Sequence, residues 1–263
     1  MKIYALNDNR KIEGFESEHG FSILIEKEDF SLLFDCGETD LFMRNAKRLS
    51  LDLTKTNAII LSHGDYDHAN GLKFLKLKDK ISVYAHPSIF DYRISKRRNV
   101  YAGINQTKGE IEENFNLVLS KEPIEIYKDI FFLGEIERQN EREINLPMIK
   151  EDGSDFLHLD DTGLAIKTEK GLVIISGCAH SGICNTISHA IKVTGEKRVH
   201  AVLGGFHLKD VDEKLNYTID FLNKAKVENV ILAHCTSERC ILEFEKRLTA
   251  KTQVFGAGKV FEF

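Results

Sequence analysis

With 263 residues, 42% of them hydrophobic and 29% charged, the chain has the make-up of a globular protein and a length that layered α/β folds often reach as one unit. Its net charge of −5 argues against a nucleic-acid partner, because phosphate binding needs a concentrated basic field, and the two basic clusters (Lys96-Arg97-Arg98; Lys73, Lys76, Lys78 and Lys80) read as solvated faces. No charged start leads into an apolar core, no apolar run reaches about 18 residues, and five scattered cysteines (Cys36, Cys178, Cys184, Cys235, Cys240) suggest reduced thiols, so the expectation is a cytoplasmic protein with no membrane partner.

The chain opens with the short apolar run Lys2-Ile3-Tyr4-Ala5-Leu6. Two β-prone runs, 21–25 and 31–34, flank a short polar connection and predict a hairpin. The second run ends at Asp35-Cys36-Gly37, where glycine permits a sharp exit. Apolar residues at 41, 42, 46 and 49 predict a helix over 40–51, with Thr39 or Asp40 as its N-cap. Ala58-Ile59-Ile60-Leu61 reads as a buried strand. A helix is expected from about 67 to 79, then a strand at 81–85. Residues 88–155 mix charge runs, glycines and prolines, and read as irregular structure with a few strands, with a flap over the site as one reading. Regular rhythm returns with strands at 164–166 and 172–175, a helix at 186–193 and a strand at 199–203. A helix at 211–224, a strand at 230–233, a helix at 238–248 and a last strand at 259–263 complete the series. Strand-rich stretches and helix–strand alternation occur in both halves without a linker. Two packed sheets covered by helices fit this better than one doubly wound sheet, within a single domain over 1–263.

The chemistry concentrates in His63-Gly64-Asp65-Tyr66-Asp67-His68, where four metal-capable side chains fall within six residues. They follow a buried strand and precede a helix, at the strand's C-terminal edge where α/β folds place ligands. A turn here can aim residues 63 and 65 one way and residues 67 and 68 another, enough to begin two adjacent metal sites. His180 follows the strand at 172–175 between Gly177 and Gly182, and His234 ends the strand at 230–233. Both are ligand candidates by the same strand-end argument. His207, after Gly204-Gly205-Phe206, suits orienting a substrate phosphate, donating a proton, or a plain loop role. His86, His158, His189 and His200 carry no motif context and read as structural or surface residues. Asp160-Asp161-Thr162-Gly163 reads as a turn.

Ser62-His63-Gly64-Asp65-Tyr66-Asp67-His68 resembles the HxHxDH signature of the metallo-β-lactamase superfamily. Phe34-Asp35-Cys36-Gly37, Gly177-Cys178-Ala179-His180 and Leu232-Ala233-His234-Cys235 follow in that superfamily's motif order. The combination with Gly204-Gly205-Phe206-His207-Leu208 is similar to the branch named for 7,8-dihydropterin-6-yl-methyl-4-(β-D-ribofuranosyl)aminobenzene 5′-phosphate synthase. The resemblance implies an αββα sandwich, with two central mixed β-sheets flanked by helices. It also implies two divalent metal ions, zinc first with iron or manganese as alternatives. His63, Asp65 and His180 would hold one ion, and Asp67, His68 and His234 the other.

One position departs from the pattern: Asp65 stands where the superfamily has its second histidine. A carboxylate still binds metal but is a harder donor, shifting preference toward Fe, Mn or Mg. It can also turn away and leave one ion. Cys178, where a bridging Asp is common, reads as a thiolate ligand or as a small buried residue. Asp35 reads as a hydrogen-bond partner of the ligands, and on the resemblance His19 faces the cleft. The expected function is hydrolysis or group transfer on a small phosphorylated, pterin-linked metabolite through a metal-bound hydroxide, with Asp67 and His207 as catalytic residues. Two other classes remain: a non-haem iron redox protein, and a non-catalytic metal or metabolite sensor. Oligomeric state is not legible.

Overall fold

The computed structural model describes residues 1–263, which form two compact units. Met1–Lys121, Leu146–Asp160 and Gly256–Phe263 make the first; Glu122–Asn145 and Asp161–Phe255 make the second.

The first unit is built on seven strands. They are β1 (Lys2–Asn7), β2 (Ser22–Lys27), β3 (Phe30–Phe34), β4 (Ala58–Ile60), β5 (Ser82–Ala85), β7 (Asn116–Leu119) and β16 (Val260–Glu262), in the order β16-β1-β2-β3-β4-β5-β7. Pairing is antiparallel from β16 to β3 and parallel from β3 to β7. The expected hairpin is β2–β3, closed at Glu28-Asp29, with Glu28 in the left-handed region. Its helices are α1 (Leu41–Arg48), α2 (Tyr66–Ala69) and α3 (Lys108–Asn114), and β6 (Ile94–Ser95) pairs with β10 (Met148–Ile149) apart from the main sheet. Helix α1 turns Leu41, Phe42 and Ala46 inward, where Phe42 and Ala46 join Leu24, Leu33, Ile59 and Val83 in one core. Burying such side chains stabilises a fold by about 1.5–3 kcal/mol each.

The helix expected over 67–79 is shorter. α2 ends at Ala69 and a 3-10 turn covers Asn70–Phe74. Gly71 donates its N–H to Gly37 O at 2.8 Å, and a Cβ at Gly71 would lie 2.0 Å from Cys36 O. The chain bends there to press against the loop that follows β3.

The second unit repeats this plan with other residues. Its strands are β8 (Ile124–Tyr127), β9 (Ile130–Phe132), β11 (Gly163–Thr168), β12 (Gly171–Ser176), β13 (Val199–Gly204), β14 (Asn229–Leu232) and β15 (Lys251–Val254), in the order β15-β14-β13-β12-β11-β9-β8. Pairing is antiparallel from β8 to β12 and parallel from β12 to β15. Central β12 and β13 are buried along their whole length, hence their apolar runs. Helices α4 (Ile183–Thr194), α5 (Glu213–Lys224) and α6 (Glu238–Arg247) cover the sheet. α4 buries Ile183, Ile187 and Ala190 at helical spacing and stops at Gly195, which takes the left-handed C-cap conformation. Edge strand β15 lacks the apolar run that marks its neighbours, and the sequence did not predict it. The 88–155 stretch, read as irregular with a few strands, carries α3 and β6 to β10. No helix is long and apolar enough to cross a membrane.

Candidate metal centre

In the first unit, β4 delivers the histidine motif to a buried loop. His63 and His68 are fully buried, and Asp65 and Asp67 nearly so. The two imidazoles lie 4.2 Å apart between centroids. Asp35, just beyond β3, sets their protonation. Its Oδ1 accepts the Ser62 N–H at 2.7 Å and its Oδ2 accepts the Ser62 hydroxyl at 2.7 Å. A carboxylate only accepts, so His68 Nδ1, 2.7 Å from Asp35 Oδ2, carries a proton. Ser62 spends its proton on Asp35, so His63 Nδ1, 2.8 Å from Ser62 Oγ, is the donor there. In its neutral form each ring therefore keeps its lone pair on Nε2, the arrangement metal-binding histidines adopt when a carboxylate or hydroxyl holds the other nitrogen.

Asp65 completes this corner. Its Oδ2 lies 3.5 Å from His63 Nε2. Its Oδ1 receives Arg93 Nη1 at 3.1 Å and lies 3.3 Å from His158 Nε2. Burial works against charge on His63, but the neighbouring carboxylates of Asp65, Asp35 and Asp160 outweigh it and hold its pKa up to about 10. Burial likewise opposes charge on Asp65, but His158 and His63 hold its carboxyl well below the usual range. The carboxylates around His63 thus favour positive charge at Nε2, which either a proton or a divalent ion can carry. The donor set fits a metal. On the other side of the motif, Asp67 Oδ2 lies 3.1 Å from Nε2 of the exposed His19.

Glycine makes the loop possible. A Cβ on Gly64 would stand 1.9 Å from Ile89 O, and the Gly64 N–H is bound by Asp160 Oδ2 at 2.7 Å. Asp160, which the sequence suggested as part of a plain turn, is instead a fully buried carboxylate paired with Arg93 at 2.9 Å. His158, read as structural or surface, is buried against Asp65. Arg93 was not singled out at all. It lies in a stretch without periodicity, and no local pattern marks an arginine that will be buried.

In the second unit the remaining candidates also sit beyond strand ends. His180 follows β12, is buried, and its ring lies 4.6 Å from that of His207, which follows β13, the two tilted by 45°. The Ser181 N–H is held by Asp161 Oδ2 at 2.8 Å, and His180 O accepts the Asn145 N–H at 2.9 Å. His234 follows β14 and is buried. The loops after β13 and β14 are laced together: the His207 N–H donates to Cys235 Sγ at 3.3 Å, the Phe206 N–H to Thr236 Oγ1 at 3.1 Å, and Lys209 Nζ to Cys235 O at 2.9 Å. Cys178 is buried and its carbonyl accepts the Cys235 thiol at 3.6 Å.

Nine non-glycine residues have positive φ, and five serve ordinary turns or helix ends: Glu28, Ser50, Asn99, Asp129 and Lys226. The other four are Asp35 (φ 56°), Ala179 (51°), His207 (49°) and His234 (41°). Each lies just past a strand end that carries site residues. Strained side chains of this kind recur at functional loops, and in each unit they fall beside the residues of interest rather than at its ordinary turns.

The metallo-beta-lactamase superfamily model matches residues 18–188. A Methanocaldococcus jannaschii protein named 7,8-dihydropterin-6-methyl-4-(beta-D-ribofuranosyl)-aminobenzene-5′-phosphate synthase is 36% identical, covering 100% of this chain and 97% of its own. An uncharacterised protein of the same archaeon is 34% identical over 93% of this chain and 94% of its own. Among solved structures, Tm1679, described as a metal-dependent hydrolase of the beta-lactamase superfamily, superposes with a TM-score of 0.88 at 33% identity over 100% of this chain and 99% of that one. Human tRNase Z, short form, shares the fold alone, with a TM-score of 0.56 at 12% identity over 100% of this chain and 99% of that one. With its motif loop on β4, its two mixed sheets flanked by helices and these relatives, the chain belongs to the metallo-β-lactamase superfamily and has its α/β fold.

Proposed function

We propose that the protein is a metal-dependent enzyme acting by hydrolysis or group transfer on a small phosphorylated, pterin-linked metabolite. The observation that carries this is the pairing of both Nδ1 atoms with Asp35 and Ser62, which leaves Nε2 of two buried histidines as the metal-capable nitrogen beside a buried aspartate. The ligands are His63, Asp65 and His180 for one ion and Asp67, His68 and His234 for the other, following the motif order of the superfamily. Zinc is the first choice for these nitrogen-rich sets, with iron or manganese favoured by the added carboxylate. When bound, such ions lower the pKa of water and stabilise negative charge developing on the substrate.

The chain's own residues do the rest. Asp67, in contact with the exposed His19, orients the nucleophile and accepts its proton. His207, half-buried against His180, donates a proton to the leaving group. The chain works as one domain, and the 88–155 stretch serves as a flap over the active site. The synthase name of the archaeal relative supports transfer, and the description of Tm1679 supports hydrolysis. Product analysis separates them: hydrolysis leaves water's oxygen in the product, and transfer joins two substrates.

The test is elemental analysis of protein purified without chelator or affinity resin, paired with turnover of phosphorylated pterin and aminobenzene compounds. Two ions per chain are expected, with metal and turnover both lost in His68→Ala. Full activity of His68→Ala would refute the site. Tight ligand binding without turnover across the panel would point to sensing.

A further inference from the structure

Arg93 is the largest fully buried side chain in the protein. Every donor on its guanidinium is aimed. Nη1 donates to Asp65 Oδ1 (3.1 Å) and Asp160 Oδ2 (2.9 Å), Nη2 to Ser88 O (3.1 Å) and Ile89 O (3.3 Å), and Nε to Asp91 O (3.1 Å). Phe156 lies beneath it, 4.4 Å from ring centroid to Cζ. The backbone around it is joined to the motif loop: Asp65 bridges Gly103, the Tyr66 N–H donates to Ala102 O at 3.0 Å, and the Ala102 N–H to Arg93 O at 3.0 Å.

Burying a guanidinium between two carboxylates adds little to stability over apolar residues of the same volume. Its position supplies another reason. Asp65 places a negative charge where the superfamily signature has a neutral imidazole, and Arg93 sets the matching positive charge 3.1 Å away. Arg93 and His158 both engage Oδ1, while Oδ2 is the oxygen facing His63 Nε2. A carboxylate held at one oxygen by a guanidinium N–H and an imidazole presents the other as a single, charge-moderated donor. That is what a histidine ligand offers.

We propose that Arg93 is a positioning residue of the metal centre. It offsets part of the charge on Asp65, shared with Asp160, and with His158 holds Oδ1 so that Asp65 offers only Oδ2 to the ion shared with His63. The departure of this chain from the histidine signature is then a paired exchange, Asp65 with Arg93, rather than a lost ligand. This rests on the reading of His63 and Asp65 as metal ligands.

The experiment is a Zn²⁺ titration of the full chain, stripped by chelator, against a chromophoric competitor. It is run on the natural protein, Arg93→Met, Asp65→His and the double variant, with circular dichroism confirming the fold of each. Arg93→Met is expected to weaken Zn²⁺ binding by about ten-fold or more, the usual scale for losing an outer partner of a ligand. Once residue 65 is histidine the same substitution should matter by less than about three-fold, because the coupling runs through Asp65. An equal loss in both backgrounds, or no loss in the natural one, would overturn the proposal. Should Arg93→Met not fold, Arg93→Lys keeps the charge and is expected to lose less affinity than Asp65→His; an equal or larger loss would overturn it. If the natural protein takes up no Zn²⁺ at all, the ligand reading itself fails and the role of Arg93 falls with it, an outcome distinct from binding without coupling.

Discussion

Asp35 decides more of the site chemistry than any residue that would touch an ion. Through Ser62 and His68 it fixes where two imidazole protons lie, and its own backbone is left-handed. Asp35→Asn keeps the shape but can donate where Asp35 only accepts, so the His68 tautomer is no longer dictated. We expect Asp35→Asn to weaken metal binding by about 10–100-fold while leaving the far-ultraviolet circular dichroism intact; metal titration checks this, and unchanged affinity would remove Asp35 from its assigned role. At this scale the sequence was informative where residues sit in motifs. His63, Asp65 and His68 are together, His180 meets His207, and Asp35 bonds His68. It was silent on Arg93 and gave His158 and Asp160 only structural, surface or turn roles, because long-range partners are chosen by tertiary packing and leave no local period.

Among the elements, the strand-to-helix turn after β4 is the most constrained. Gly64 passes under Ile89 O, where a Cβ would clash at 1.9 Å, whereas Gly14, at a positive φ that Gly64 does not share, faces open space. Gly64→Ala must push two backbone segments apart and is expected to cost about 1–3 kcal/mol or more, as overpacking does. Gly14→Ala should cost only its backbone strain, about 1 kcal/mol. Urea unfolding of the two variants checks the contrast, and equal midpoints would mean the motif loop is slack. Strands with apolar runs (β4, β12, β13, β14) and amphipathic helices (α1, α4, α6) were legible because burial imposes their composition. Edge strand β15 was not, since a half-exposed strand needs no apolar run, and the helix after the motif was drawn too long because Gly71 docking on Cys36 is a tertiary event.

For the molecule as a whole, each unit follows one plan: an antiparallel run leading into three parallel pairings, with the polar side chains gathered beyond the parallel strands' C-terminal ends. The sequence shows no repeat because what the units share is a pairing pattern, not residues. A protein that concentrates buried carboxylates around a cation site should lean on that cation for stability. A ligand at a hundred times its dissociation constant adds about 2.7 kcal/mol to folding. Chelation is therefore expected to lower the melting temperature by several degrees and re-addition of Zn²⁺ to restore it; scanning calorimetry reads the shift, and identical melts with and without metal would contradict the site. The four left-handed side chains at Asp35, Ala179, His207 and His234 carry a further consequence. Each costs about 1–2 kcal/mol that a glycine would not, so these loops are places where the chain could become hardier by giving up its chemistry. A population selected for heat resistance alone would drift toward glycine or asparagine there, and the residues that resist that drift under selection for activity would trace the working parts of the site.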